Sequence, residues 1–199
     1  MTFTGHADDV LTARFSPDGS RVVTGSADRT ARIWNAATGE LLAVLAGHRS
    51  NVVSAIFSPK GDRVLTVSWQ GDGRIWDAGT GHLLAAFDNG EPGGFGSSFS
   101  PDGRVVLTTA GPGAQLRAAE SGRLLAQPRG HSEWIHDAAF SPDGERIVTA
   151  SYDGTVRLWN ADPAAHANPA VLLAAVDQYE NGGVDHLEFS RRRPATAVR

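Results

Sequence analysis

His6, Ser26 and Asp28 are the three residue types of an acyl-transfer triad, in which a histidine takes the serine proton and a carboxylate orients the ring. The same types return as His131, Ser151 and Asp153. Each set is followed by a tryptophan, Trp34 and Trp159, and a reduced set of His48, Ser68 and Trp76 stands between them. An active site needs its triad once. A set written at least twice in register points to a structural role that each copy must fill for itself. Metal chemistry has little footing: the seven histidines fall mostly one to a copy, and no cysteine supplies a thiolate. His82 and His166 fall on turns or strand ends. No helix is predicted, so no glycine-rich phosphate loop leads into one. No cofactor and no metal are expected.

The 199 residues are 41% hydrophobic and 20% charged, with a net charge of -4 and both signs interspersed, as in a soluble globular protein. No basic block occurs before the last ten residues, so nucleic acid is not the expected partner. MTFTGHADDV lacks the basic-then-apolar run of a signal peptide, and no apolar stretch reaches membrane-span length. Together with the absence of cysteine, this suits a reducing compartment. A cytoplasmic location without a membrane partner is expected.

The elements that carry the recurring residues are themselves a repeat. FSPDGSRVVTGSADRTARIWN (15–35) returns as FSPDGERIVTASYDGTVRLWN (140–160). Phe15, Phe57, Phe99 and Phe140 are spaced 42, 42 and 41 residues apart. Trp34, Trp76 and Trp159 keep the same period, with Arg117 where the third tryptophan belongs. Gly5-His6, Gly47-His48 and Gly130-His131 open three copies. Within the first copy, VLTARF, RVVTGS, ARIWN and ELLAVL are short runs rich in β-branched residues, separated by SPDG, ADRT and AATG turns. Each copy therefore predicts a four-stranded antiparallel sheet. One such sheet cannot bury both faces, so neighbours must stack.

Gly-His, FSPDG, Ser-x-Asp and Trp-Asn or Trp-Asp at this period resemble WD40 repeats over residues 5 to about 176. The resemblance implies an all-β propeller of four four-stranded blades, about 5–46, 47–88, 89–129 and 130–176. A partial fifth begins at VDHLEFS and gives way to an arginine-rich end within 177–199. An incomplete, open arc of blades is expected, against a strained small ring or assembly with another chain. The resemblance also implies a hydrogen-bonded line across each blade, from tryptophan indole to a Ser or Thr hydroxyl, to histidine, to aspartate. His6, Ser26, Asp28 and Trp34, and His131, Ser151, Asp153 and Trp159, are expected to form it. The second copy has Gln70 where the turn aspartate belongs and keeps His48, Ser68 and Trp76, so it is expected to be the weaker blade. The third copy lacks both Gly-His and the tryptophan, but its turns and apolar alternation should still make a blade.

The family's implied use is protein binding on the face where the inner strands begin. That face would carry Asp9, Leu11 and Ala27 from the first copy, Asn51, Val53 and Trp69 from the second, and Phe95 and Ala110 from the third. The fourth would add Trp134, His136 and Tyr152. Trp69, Phe95, Trp134, His136 and Tyr152 are large, at positions where the repeat does not require it. They are candidate anchors for a protein or peptide partner; filling the gap between blades is the alternative. A non-enzymatic interaction scaffold is the expected function. A sensor or regulatory module of a larger enzyme, such as a kinase or nucleotide hydrolase, is the second reading. A propeller hydrolase is a third, lacking any acid–base set outside the repeated residues. Self-association through open blade faces is a further expectation.

Overall fold

The computed structural model describes residues 1–93 and 95–162. Among them there are strands and turns and no helix. The first copy folds as β1 (Val10–Phe15), β2 (Arg21–Ser26), β3 (Thr30–Asn35) and β4 (Leu41–Ala46), antiparallel and in sequence order. The second gives β5 (Val52–Phe57), β6 (Arg63–Ser68), β7 (Asp72–Asp77) and β8 (Leu83–Asp88). The third, without Gly-His or tryptophan, still forms β9 (Ser97–Phe99), β10 (Val105–Ala110), β11 (Gly113–Ala118) and β12 (Leu124–Ala126). The fourth contributes β13 (Ile135–Phe140), β14 (Arg146–Ser151) and β15 (Val156–Asn160). The last strand of the blade expected over about 130–176 and the partial fifth repeat lie outside the described residues.

The turns explain the short strands. In SPDG, Ser16 Oγ donates to Asp18 Oδ1 at 2.5 Å, and Gly19 closes the turn at φ 71°, where a side chain would be strained. The second copy reads SPKG, and Asp62, two residues beyond the missing aspartate, accepts from Ser58 Oγ at 2.7 Å.

Strand register sets two chemically distinct faces on each sheet. Phe15, Val22 and Trp34 are cross-strand neighbours on one face; Phe57, Val64 and Trp76 repeat the row. Val23 opposite Ile33, and Leu65 opposite Ile75, occupy the other face. We call these the leading and trailing faces. The first core joins Val23, Ala31, Ile33 and Leu45 from the first trailing face to Phe57, Val64 and Trp76 from the second leading face. Leu65, Val67 and Ile75 meet Phe99 and Val106 in the same way. Arg21 clasps the first junction: its guanidinium lies 5.1 Å from the Phe57 ring centroid and donates to the carbonyls of Gly61 (2.6 Å) and Ala78 (2.8 Å).

Candidate functional site

The repeated polar residues make a line through three of the four sheets, but its hydroxyl is not the expected serine. Trp34 Nε1–H donates to Thr24 Oγ1 at 2.9 Å, Thr24 lies 2.7 Å from His6 Nε2, and His6 Nδ1 lies 2.8 Å from Asp28 Oδ2. The fourth sheet repeats this with Trp159, Thr149, His131 and Asp153 at 2.9, 2.8 and 2.7 Å. Donor and acceptor accounting fixes one proton. An ionised carboxylate only accepts, so Nδ1–H is the donor to the aspartate, and the threonine oxygen that accepts the indole N–H is also the partner of Nε2.

Ser26, Ser68 and Ser151 are therefore corrected out of the line, and the reason is geometric. Trp34 pairs with Val22, so its indole reaches Thr24 diagonally. Ser26 is four residues from Val22, roughly 13 Å along the strand. These serines organise the turn instead. Ser26 Oγ accepts the Asp28 N–H at 3.0 Å and donates to the Asp8 carbonyl at 3.2 Å; Ser151 does the same for Asp153 N–H and the Glu133 carbonyl.

The second sheet is not the depleted one. Trp76, Thr66 and His48 form the line at 2.8 and 2.6 Å, and His48 Nδ1 meets Asp72 Oδ2 at 2.5 Å. Gln70 occupies the expected position of the carboxylate, but Asp72 supplies one from two residues further along the same turn, and Ser68 Oγ donates to it. Burial alone would raise the Asp72 carboxyl. Hydrogen bonds from His48 and Ser68, with the positive field of His48 and Arg74, outweigh it and hold the group well below the usual carboxylate range. At Asp28 burial is likewise overcome, there by bonds from Thr30, His6 and the Ala7 N–H. At Asp153 the Thr155 hydroxyl is the chief cause of the lowering, with His131 adding to it against burial.

The third sheet replaces the line. Arg117 lies 4.6 Å from the Phe87 ring centroid and donates to the carbonyls of Asp88 (2.8 Å) and Gly122 (3.1 Å) and to Gln115 Oε1. Gln115 Nε2 donates to the Asn89 carbonyl at 2.7 Å, and Thr108 donates to Asn89 Oδ1 at 3.2 Å.

In none of these lines is a nucleophile presented to solvent. Thr24, Thr66 and Thr149 are buried, and each hydroxyl is engaged by both indole and imidazole. Among the described residues, no group of three metal-binding side chains converges.

The other candidates gather at the rim of three sheets. Trp69 follows β6, Phe95 precedes β9, Trp134 precedes β13 and Tyr152 follows β14. Their rings touch in sequence: Trp134 to Trp69 at 6.1 Å between centroids, Trp69 to Phe95 at 5.1 Å, Phe95 to His136 at 5.7 Å and His136 to Tyr152 at 5.5 Å. Backbone bonds hold the rim together. Gly93 N–H donates to the Trp69 carbonyl and Ile135 N–H to the Gly111 carbonyl, both at 2.9 Å and both between neighbouring sheets. Gly93 has φ 109°, and a Cβ there would stand 3.2 Å from the Trp134 ring. His136 is the unpaired residue of a bulge between Ile135 and Asp137, which aims it off the ladder. All five side chains are exposed, Tyr152 most at 67%. The first sheet carries only Asp9, Leu11 and Ala27 at the matching places.

The family model described as WD domain, G-beta repeat matches residues 1–35, 39–77 and 122–160, together more than half of the chain. The chain belongs to the WD-repeat family. The WD repeats are similar to a stretch of human apoptotic protease-activating factor 1, 36% identical over 63 residues, covering 32% of this chain and 5% of that protein. Protein transport protein SEC13 of Chaetomium thermophilum is 50% identical over 38 residues, covering 18% and 12%. Human striatin-4 is 36% identical over 69 residues, covering 35% and 9%. Each match thus spans a small part of the relative's own length. The four sheets are blades of a WD40 β-propeller architecture, and domains of this family generally mediate protein interaction without catalysis.

Proposed function

We propose that the chain is a non-enzymatic interaction scaffold whose protein or peptide partner seats on Trp69, Phe95, Trp134, His136 and Tyr152. One observation carries this reading: five exposed rings in unbroken contact across three blades, at positions the first blade fills with the non-aromatic Asp9, Leu11 and Ala27. Such rings offer contact area at little rotamer entropy, and their mutual packing pre-organises them. Their exposure favours binding over gap filling. The polar lines take no part in chemistry on this reading, because each is closed by its own donors and acceptors. A cytoplasmic setting belongs to the same proposal.

Peptide display against the whole chain tests it. The expected result is a set of enriched peptides whose affinity drops at least roughly tenfold in Trp134→Ala and in Tyr152→Ala, as at a hot spot. Enrichment of nothing, or peptides indifferent to both changes, would reject the reading. The second reading, a regulatory module of a larger enzyme, is favoured by one observation: the matched stretch makes up 5% of human apoptotic protease-activating factor 1. Sequencing the native transcript decides it, since this reading needs an enzyme domain in the same open frame.

A further inference from the structure

We propose that the leading face of the first blade is a docking site for a second copy of this chain, whose fourth blade presents its trailing face and so pairs the copies head to tail. The template lies within the molecule. Where the first blade meets the second, Phe57 is 9% exposed and Ile33 opposite it is fully buried. One period earlier, Phe15 is 69% exposed; on the fourth blade, Leu158, in the register place of Ile33, is 54% exposed and Val156 beside it 68%. The two surfaces are the separated halves of the junction already built between the first and second blades.

Polar groups match as well. Arg21 clasps Phe57 and the carbonyls of Gly61 and Ala78 across the internal junction. Its counterpart on the fourth blade is Arg146, five residues after Ser141 as Arg21 is five after Ser16, and it is exposed. The counterparts of its targets are Phe15 and the carbonyls of Gly19 and Ala36, one 42-residue period before Phe57, Gly61 and Ala78. A guanidinium from the second copy would there meet an aromatic face and two acceptors in the arrangement that Arg21 finds.

The first residues of the chain have already prepared the face. Phe3, one period before Leu45, packs on Trp34 at 5.7 Å, as Leu45 joins Trp76 in the first core. Met1, one period before Ala43, lies 3.5 Å from the Cβ position of Gly39, as Ala43 lies 3.1 Å from that of Gly81. Residues 1–4 thus stand where the outer edge of a preceding blade would stand. On the same face Val22 and Trp34 are buried while Phe15 stays exposed, so β13–β15 of a second copy would meet the face at Phe15.

Sedimentation velocity on the full chain over a concentration series tests the pairing. Mass rising above the monomer with concentration is expected. Phe15→Asp and Leu158→Asp alter exposed side chains, so each should fold, as circular dichroism will verify, yet remain monomeric alone. Mixing the two variants should restore pairs, because one keeps the trailing face and the other the leading face. Arg146→Ala should weaken pairing roughly tenfold or more, the loss of charge-assisted hydrogen bonds. A wild-type chain that stays monomeric throughout overturns the proposal. So does a mixture that stays monomeric, or pairing that survives in either single variant.

Discussion

The second and third blades stand side by side, each with β-strand interiors buried on both faces, yet they satisfy those interiors by different chemistry. The second runs a chain of hydrogen bonds from an indole through a hydroxyl and an imidazole to a carboxylate. The third places a guanidinium on Phe87 and fans it over two carbonyls and a glutamine. It leaves Arg117 Nε and Asn89 Nδ2 without partners. The blade shape therefore does not depend on the line. The line is one way of closing the polar accounts of a buried strand edge, and it closes them more completely than its substitute.

The sharpest break of this comparison is truncation of the central side chain in each. Trp76→Ala should lose about 3–5 kcal/mol, through a cavity and an abandoned threonine. Arg117→Ala should lose less, about 1–3 kcal/mol, since its removal also abolishes a buried unpaired donor. Urea unfolding of both variants checks the order, and equal losses would undo the distinction. Next in size, Thr66→Val strands both the Trp76 N–H and His48, and about 1–3 kcal/mol is expected. Thr108→Val loses a single bond to Asn89 and should cost about 0.5–1.5 kcal/mol in the same assay.

Acid sharpens the contrast further. The Asp72 carboxyl is lowered from its ordinary value of 3.8 in the folded chain. Its stabilisation is thus complete above that value and is lost as the pH falls below it toward the depressed folded value. The Arg117 cluster that stands in place of the line in the third blade takes its acceptors from carbonyls and an amide rather than from a carboxylate. Melting temperatures should therefore fall less steeply on acidification in Asp72→Asn than in the wild type, with the difference confined to pH below about 5. The smallest effect belongs to the rim: Tyr152→Ala should leave unfolding free energy within about 0.5 kcal/mol while peptide binding falls.

The period of Phe and Trp made the blades legible before any coordinate, because a cross-strand row of Phe57, Val64 and Trp76 must recur wherever sheets stack. The role of Ser26 is hidden from the sequence for an equally physical reason. Spacing along the chain shows which residues recur, and Thr24, Thr66 and Thr149 recur as faithfully as the serines. Only pairing register shows which hydroxyl lies diagonal to the indole. Asp72 was legible in principle, as an acid in the same turn, but it was hidden by matching position to position. Arg117 was visible as a departure, and the use of Asn89 and Gln115 around it was not, since no repeat offers a precedent. The rim aromatics were legible as oversized residues. Their continuity was not, because Trp69 and Trp134 come from different blades and meet only through folding.

Twice in the second blade an aspartate stands two residues downstream of its counterpart, Asp62 for Asp18 and Asp72 for Asp28, and each time it serves the same partners, a serine hydroxyl in one case and a histidine in the other. Both ends of such a turn can reach the same donor, so a sequence carrying acids at both places would be tolerated while either was lost. Mutational drift can thus walk a carboxylate along the chain without an intermediate that selection would remove. Comparing the two copies column by column counts two losses and two unrelated gains, although both copies keep the same contacts.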